Sequence, residues 1–222
     1  MDEVYRLPLF PLHTVLFPGQ TLPLHIFEPR YQLMVHRCLA EEIPFGVVLI
    51  QEGVEVGGPA IPYTVGTLAR ITDVEPLSGG RMNITAVGEH RFHLHRYDET
   101  QEPYLMGELM LWPWGDLSPP DPSLLLTVRS ALERYLTLLS RLAGETLYLD
   151  EIPLHPATLA VLTAITLQVP PREKQRLLEQ PTIRQMLEHE RRLLREENRA
   201  LRLLVAAGPP PDDEESFFFS AN

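Results

Sequence analysis

Up to about Trp114 the apolar positions fall in short runs of strand length, such as Phe45-Gly46-Val47-Val48-Leu49-Ile50 and Thr67-Leu68-Ala69-Arg70-Ile71, each broken by proline or glycine. This half reads as mostly β. Ser78-Gly79-Gly80, between Thr72-Asp73-Val74-Glu75 and Met82-Asn83-Ile84-Thr85, predicts a hairpin, because glycine supplies the positive φ that tight turns need. One helix interrupts the strands, from Glu28 or Pro29 to Ala40: proline suits the first turn, and Tyr31, Met34, Val35 and Cys38 recur at helical spacing. Gly19 allows a turn between the first two strands, and Gly66 in Val65-Gly66-Thr67 points to a bulge or a close backbone approach.

The pattern changes at Trp112-Pro113-Trp114-Gly115-Asp116-Leu117-Ser118-Pro119-Pro120, whose prolines continue neither a ladder nor a helix, and the domain boundary is placed there. Asp121 then offers an N-cap with Pro122 at the first helical position. Leu125, Val128, Leu132, Tyr135, Leu136, Leu139 and Leu142 form an apolar stripe ending near Gly144. A second helix, Pro156 to Gln168, is apolar nearly all round, as a central bundle helix would be, and Pro170-Pro171 ends it. A short helix from Arg172 to Glu179 follows, and after Pro181 a long one to Ala207. In a heptad frame this last helix sets Leu187, Leu194 and Leu201 at one seam position and Glu190, Glu197 and Leu204 at its partner. Two readings fit a half-charged seam: a solvated extension laced by ion pairs four residues apart, or a docking surface for another subunit.

Charge narrows the partners. With 19 basic and 30 acidic residues the net charge is −11, which repels phosphate backbones and anionic lipid, so neither nucleic acid nor membrane is expected as a partner. The balance is uneven along the chain: residues 171–207 are net basic, and the last residues carry Asp212-Asp213-Glu214-Glu215 followed by Ser216-Phe217-Phe218-Phe219. Residues 208–222, opening Gly208-Pro209-Pro210-Pro211, are expected to be a disordered tail whose phenylalanines form either a meaningless terminus or a short motif that inserts into an apolar groove. The acidic start Met1-Asp2-Glu3 has no secretory apolar stretch behind it, and the weakly polar run from Pro156 to Val169 is shorter than the ~20 residues a membrane span takes. One cysteine among 222 residues excludes an intrachain disulfide and fits a reducing compartment, so a soluble cytoplasmic protein is expected.

Catalytic chemistry is scarce. The only lysine, Lys174, stands between Glu173 and Gln175 with no phosphate-binding glycine loop and no nearby serine, and no Gly-x-Ser-x-Gly elbow occurs. Cys38 falls on the buried stripe of its helix, where a small apolar thiol is the commoner role. His90, His93 and His95 share a strand, yet Arg91 and Arg96 adjoin them and no carboxylate or cysteine completes a metal site. His25, between Leu24 and Ile26, is expected to pack in the sheet and donate to a backbone carbonyl. No cofactor, no metal and no enzymatic activity are expected.

The first third carries a further signal. Leu7-Pro8-Leu9-Phe10-Pro11-Leu12-His13-Thr14-Val15-Leu16-Phe17-Pro18-Gly19 and Leu22-Pro23-Leu24-His25-Ile26-Phe27-Glu28-Pro29-Arg30-Tyr31 resemble the opening of the Lon protease N-terminal, substrate-binding domain, especially its stand-alone bacterial version. The similarity continues through Pro44-Phe45-Gly46-Val47-Val48-Leu49-Ile50, Val65-Gly66-Thr67-Leu68-Ala69-Arg70-Ile71 and Ala86-Val87-Gly88-Glu89-His90-Arg91-Phe92, and Pro170 to Glu179 is similar to the same family's helical part. The resemblance implies an α+β fold: a PUA-like β pseudo-barrel with one helix over residues 1–116, a helical bundle ending in a long helix over 117–207, and the tail. It also implies a module that binds unfolded or degron-bearing polypeptides, without the ATPase and peptidase that follow in full-length Lon. Its candidate peptide contacts are Phe27, Glu28, Arg30 and Tyr31, although a structural helix start is the commoner role for Glu28-Pro29-Arg30-Tyr31. Candidate partner-docking residues are Leu194, Leu201, Leu204, Phe217, Phe218 and Phe219, and a homodimer through the long helix or the tail is an open alternative. Two other functions stay open: a regulator or adaptor of a full-length ATP-dependent protease, and a small-molecule-binding PUA-like protein.

Overall fold

The computed structural model describes residues 3–55, 60–115, 120–144 and 152–207. In chain order these form β1 (Val4–Leu12), β2 (Thr21–Ile26), α1 (Pro29–Ala40), β3 (Phe45–Gly53), β4 (Ala60–Pro76), β5 (Met82–Asp98), β6 (Met106–Leu111), α2 (Pro122–Ala143), α3 (Pro156–Thr166), α4 (Pro171–Leu178) and α5 (Ile183–Ala207). The predicted helix and hairpin are α1 and the β4–β5 connection, where Gly79 and Gly80 both sit at φ +74 and let Pro76 pair with Met82.

Six strands form one mixed sheet in the order β2-β5-β4-β3-β1-β6. β5 is long enough to pair with β2 through Met82–Val87 and with β6 through Phe92–Asp98, so β5, β4, β3, β1 and β6 close on themselves. Among the described strands the one parallel pair, β1 with β3, is bridged by the crossover that carries β2 and α1. Closure demands a close approach at Gly66: a Cβ there would stand 2.4 Å from the Val47 carbonyl oxygen and 2.6 Å from the Phe92 ring. α1 covers the β2 end of the sheet, burying Tyr31, Met34, Val35 and Cys38 among Phe10, Phe45, Ile84 and Ala86.

The second half is helical. Asp121 caps α2 by accepting from the Ser123 amide at 2.8 Å, as the sequence predicts. The buried face of α2 includes Val128, Leu132 and Tyr135 of the predicted stripe and adds Leu124 and Leu138; Leu125, Leu136 and Leu139 flank it half-buried, and Leu142 is exposed. α2 and α5 run side by side in the same direction, with Asn198 Nδ2 donating to the Ala131 carbonyl at 2.9 Å. One hydrophobic cluster spans both halves, joining Val15, Phe17, Leu49 and Val65 of the β part to the facing side chains of all four helices. Among the described residues no helix is long and apolar enough to cross a membrane.

Candidate functional site

β2 alternates as an edge strand should: Leu22, Leu24 and Ile26 turn toward α1, while Thr21, Pro23 and His25 face outward. Phe27 follows at the corner between β2 and α1 and is 47% exposed, whereas Phe10, Phe17, Phe45 and Phe92 are buried. Neighbouring side chains engage it. The His25 ring stacks on it with centroids 6.0 Å apart, and Gln32 Nε2 donates to its carbonyl at 3.1 Å. His25 is itself fixed from below: its Nδ1 lies 2.8 Å from Asn83 Oδ1, and Asn83 Nδ2 donates to Glu75 Oε2 at 2.8 Å. Because an amide oxygen only accepts, this network assigns the Nδ1–H tautomer. The predicted backbone bond of a sheet-packed His25 is therefore corrected: the ring is exposed and bonds a side chain.

The other three candidates at this corner are engaged with one another. The Glu28 carbonyl accepts from the Tyr31 and Gln32 amides and opens α1, while its carboxylate bonds Arg30 Nε at 3.1 Å. Arg30 lies 4.5 Å over the Tyr31 ring, which in turn stands 4.1 Å from Phe10. Burial pushes the Tyr31 hydroxyl up to about 12. Glu28, Arg30 and Tyr31 thus form the footing on which Phe27 is displayed.

The long-helix candidates separate. Leu194 and Leu201 are buried in the cluster shared with α2, so they are core residues of this chain rather than a free docking seam, while Leu204 is 57% exposed. Glu190 also departs from the expected solvated face: it is fully buried, with no hydrogen-bond partner for either carboxylate oxygen among the described residues. Phe217, Phe218 and Phe219 lie outside the described residues.

The groups that could carry covalent chemistry have structural duties. Cys38 is buried, which pushes its thiol up to about 11, away from a reactive thiolate. Lys174 Nζ donates to the Ile165 carbonyl at 3.0 Å near the end of α3, and burial lowers its pKa. His93 and His95 have ring centroids 5.6 Å apart, and His93 and Trp112 make a T-shaped contact at 6.1 Å.

Sequence reasoning missed Arg91. It reads as a surface neighbour of the histidines, yet it is almost completely buried. Its guanidinium lies between Trp112 and Trp114, 4.1 and 4.3 Å from their ring centroids, and its Nη1 donates to the carbonyls of Leu178 and Gln180, both at 2.7 Å. It pins the loop after α4 to β5. The two tryptophans flanking a strand arginine were the available signal, and spacing alone does not reveal which arginine they hold.

Residues 6–196 match the family model of the ATP-dependent protease La (LON) substrate-binding domain. The Lon protease of Anaeromyxobacter dehalogenans (strain 2CP-C) is 28% identical over 203 residues, which are 89% of this chain and 24% of that protein. The Lon protease of Parabacteroides distasonis is 33% identical over 105 residues, 46% of this chain and 13% of that protein. The chain therefore spans about a quarter or less of the length of these curated relatives. Among solved structures, the Lon N-terminal domain protein from Xanthomonas campestris superposes with a TM-score of 0.63 at 28% identity, covering 83% of this chain and 95% of that one. The N-terminal domain of the Mycobacterium avium complex Lon protease gives a TM-score of 0.62 at 17% identity, covering 88% of this chain and 98% of that one, a likeness of fold alone.

Proposed function

The chain belongs to the family of ATP-dependent protease La (LON) substrate-binding domains, and from that membership we propose that it is a non-catalytic cytoplasmic module that binds unfolded or degron-bearing polypeptides. The observation that carries this is Phe27: an exposed aromatic on a braced corner loses little freedom on binding and so makes an efficient anchor for apolar side chains of a passing chain. Pro23 and His25 beside it on the outer side of β2 extend the same surface. Engagement of Cys38 and Lys174 in the fold supports a role by binding rather than by covalent chemistry. The net charge of −11 supports a polypeptide partner over nucleic acid or anionic membrane.

The test is fluorescence anisotropy with a labelled, permanently unfolded protein such as carboxymethylated α-lactalbumin, with and without ATP. Nucleotide-independent binding that Phe27→Ala weakens by roughly 10- to 30-fold, a hot-spot loss, is the expected result. The thermal midpoint should not move, because Phe27 is outside the core. An unchanged Kd would remove Phe27 from the binding surface, and absence of any binding would overturn the function itself.

A second reading, an adaptor that docks on a full-length protease, is favoured by the exposed Leu203 and Leu204 at the end of α5. It requires that Leu203→Glu with Leu204→Glu abolish co-purification with such a partner.

A further inference from the structure

Between α2 and α5 lies an open groove of about 770 Å³. Arg134 of α2 and Arg191, Arg195, Arg199 and Arg202 of α5 line it, against one carboxylate among the described residues, Glu196. In a chain of net charge −11 this is a concentrated positive surface. Arg191, Arg195 and Arg199 recur every four residues, so they repel one another along one face of the helix. Elsewhere Arg6, Arg30, Arg37, Arg70, Arg96, Arg129 and Arg176 each meet a carboxylate, whereas none of the five groove arginines has an ion pair among the described residues. One buried donor in the groove wall, Arg191 Nε, also has no hydrogen-bond partner there, while Asn198 Oδ1 is an acceptor that a backbone amide of an occupant, not its carboxylates, would satisfy. A donor fork and a stripe of unneutralised guanidiniums are what a run of carboxylates would satisfy, each contact being a charge-assisted bond.

We propose that the groove is the intramolecular seat of the chain's own acidic C-terminal segment, Asp212-Asp213-Glu214-Glu215, with Phe217-Phe218-Phe219 lying beyond it toward the exposed Leu126. The reach is sufficient. From Ala207 back to Arg191 the helix rises ~24 Å, and the eight residues from Ala207 to Glu215 extend to ~27 Å. Gly208 stands where the chain must reverse, and glycine tolerates the dihedrals a reversal requires. Leu126, 55% exposed, forms part of the groove wall near Arg191 and offers the phenylalanines an apolar contact. Four carboxylates against five arginines neutralise most of the groove, and the short closing loop makes the effective concentration of the segment high.

The test uses the full chain with Ser216→Cys carrying a nitroxide; buried Cys38, its thiol held at about 11, is left unlabelled. The amide resonances of Ser130, Arg191 and Arg195 should lose roughly threefold or more of their intensity at low ionic strength and recover near 0.5 M salt, where screening acts within ~4 Å. Replacing Asp212, Asp213, Glu214 and Glu215 with their amides should restore the signals, and so should Arg195→Glu with Arg199→Glu. Broadening centred on another surface, or unchanged by either set of substitutions, would overturn the proposal. So would broadening that persists when an isotope-labelled, untagged chain is mixed with tagged, unlabelled chain, since the occupant would then be a second copy.

Discussion

Among the described residues, Glu190 is a carboxylic acid with no hydrogen-bond partner or ion pair. Complete burial raises its pKa well above the usual value near 4.5. Below that value the group is protonated in folded and unfolded chains alike and ionisation costs nothing. As pH rises through 4.5 the unfolded chain releases the proton while the folded chain retains it, so stability falls with pH until the folded pKa is reached. Glu190→Gln keeps the shape and removes the titration. Its melting temperature should match the parent near pH 4.5 and exceed it increasingly toward pH 7, as measured by calorimetry across that range. Parallel curves for the two proteins would mean that Glu190 has an ionic partner. Cys38 and Lys174 show the same rule with other outcomes: a chemically capable group becomes inert once its position commits it to the core or to a backbone carbonyl.

Elements meet at positions where backbone, not side chain, sets the distance. β4 passes β3 at Gly66 so closely that the Val47 carbonyl occupies the place of a Cβ, with the Phe92 ring close beside it. Neither neighbour can move cheaply, one being backbone in the ladder and the other a fully buried ring. Gly66→Ala is therefore expected to cost ~1–3 kcal/mol or more, read as a lower urea midpoint at an unchanged slope. The pairing of α2 with α5 shows the complementary case, in which side chains decide. Leu187, Leu194 and Leu201 bury in the cluster shared with α2, and the same helix lines its side of the groove with arginines.

At the scale of the molecule, the β half and the helical half are fastened by a shared apolar cluster and by two polar clasps. Gln175 Nε2 donates to the Val65 carbonyl at 2.9 Å, and Arg91 holds the loop after α4. Removing Arg91 leaves the Leu178 and Gln180 carbonyls buried without a charged donor, at roughly 2–5 kcal/mol. Both tryptophans of the chain flank it, so their emission reports the junction directly. In the parent, tryptophan emission and far-ultraviolet circular dichroism should follow one denaturant transition. In Arg91→Met the emission transition should move to lower denaturant and separate from the dichroism. Coincident, unshifted transitions would show that the apolar cluster alone joins the halves.

Periodicity and turn chemistry by themselves determined the elements: α1 from its four-residue stripe, the β4–β5 hairpin from Ser78-Gly79-Gly80, α2 from Asp121-Pro122, and the long α5. These follow from local dihedral preferences and from the spacing of apolar side chains, both written in neighbouring residues. The family blocks added the architecture. What no local pattern carried was the environment of single polar residues. Arg91 and Glu190 look like surface charges in the sequence and are buried, His25 looks like a sheet-core residue and is exposed, and Leu194 and Leu201 are covered by α2. Burial is a property of what arrives from elsewhere in the chain. Only the tertiary structure brings the α4–α5 loop onto Arg91, packs α2 on α5, and leaves Phe27 half exposed beside the His25 ring.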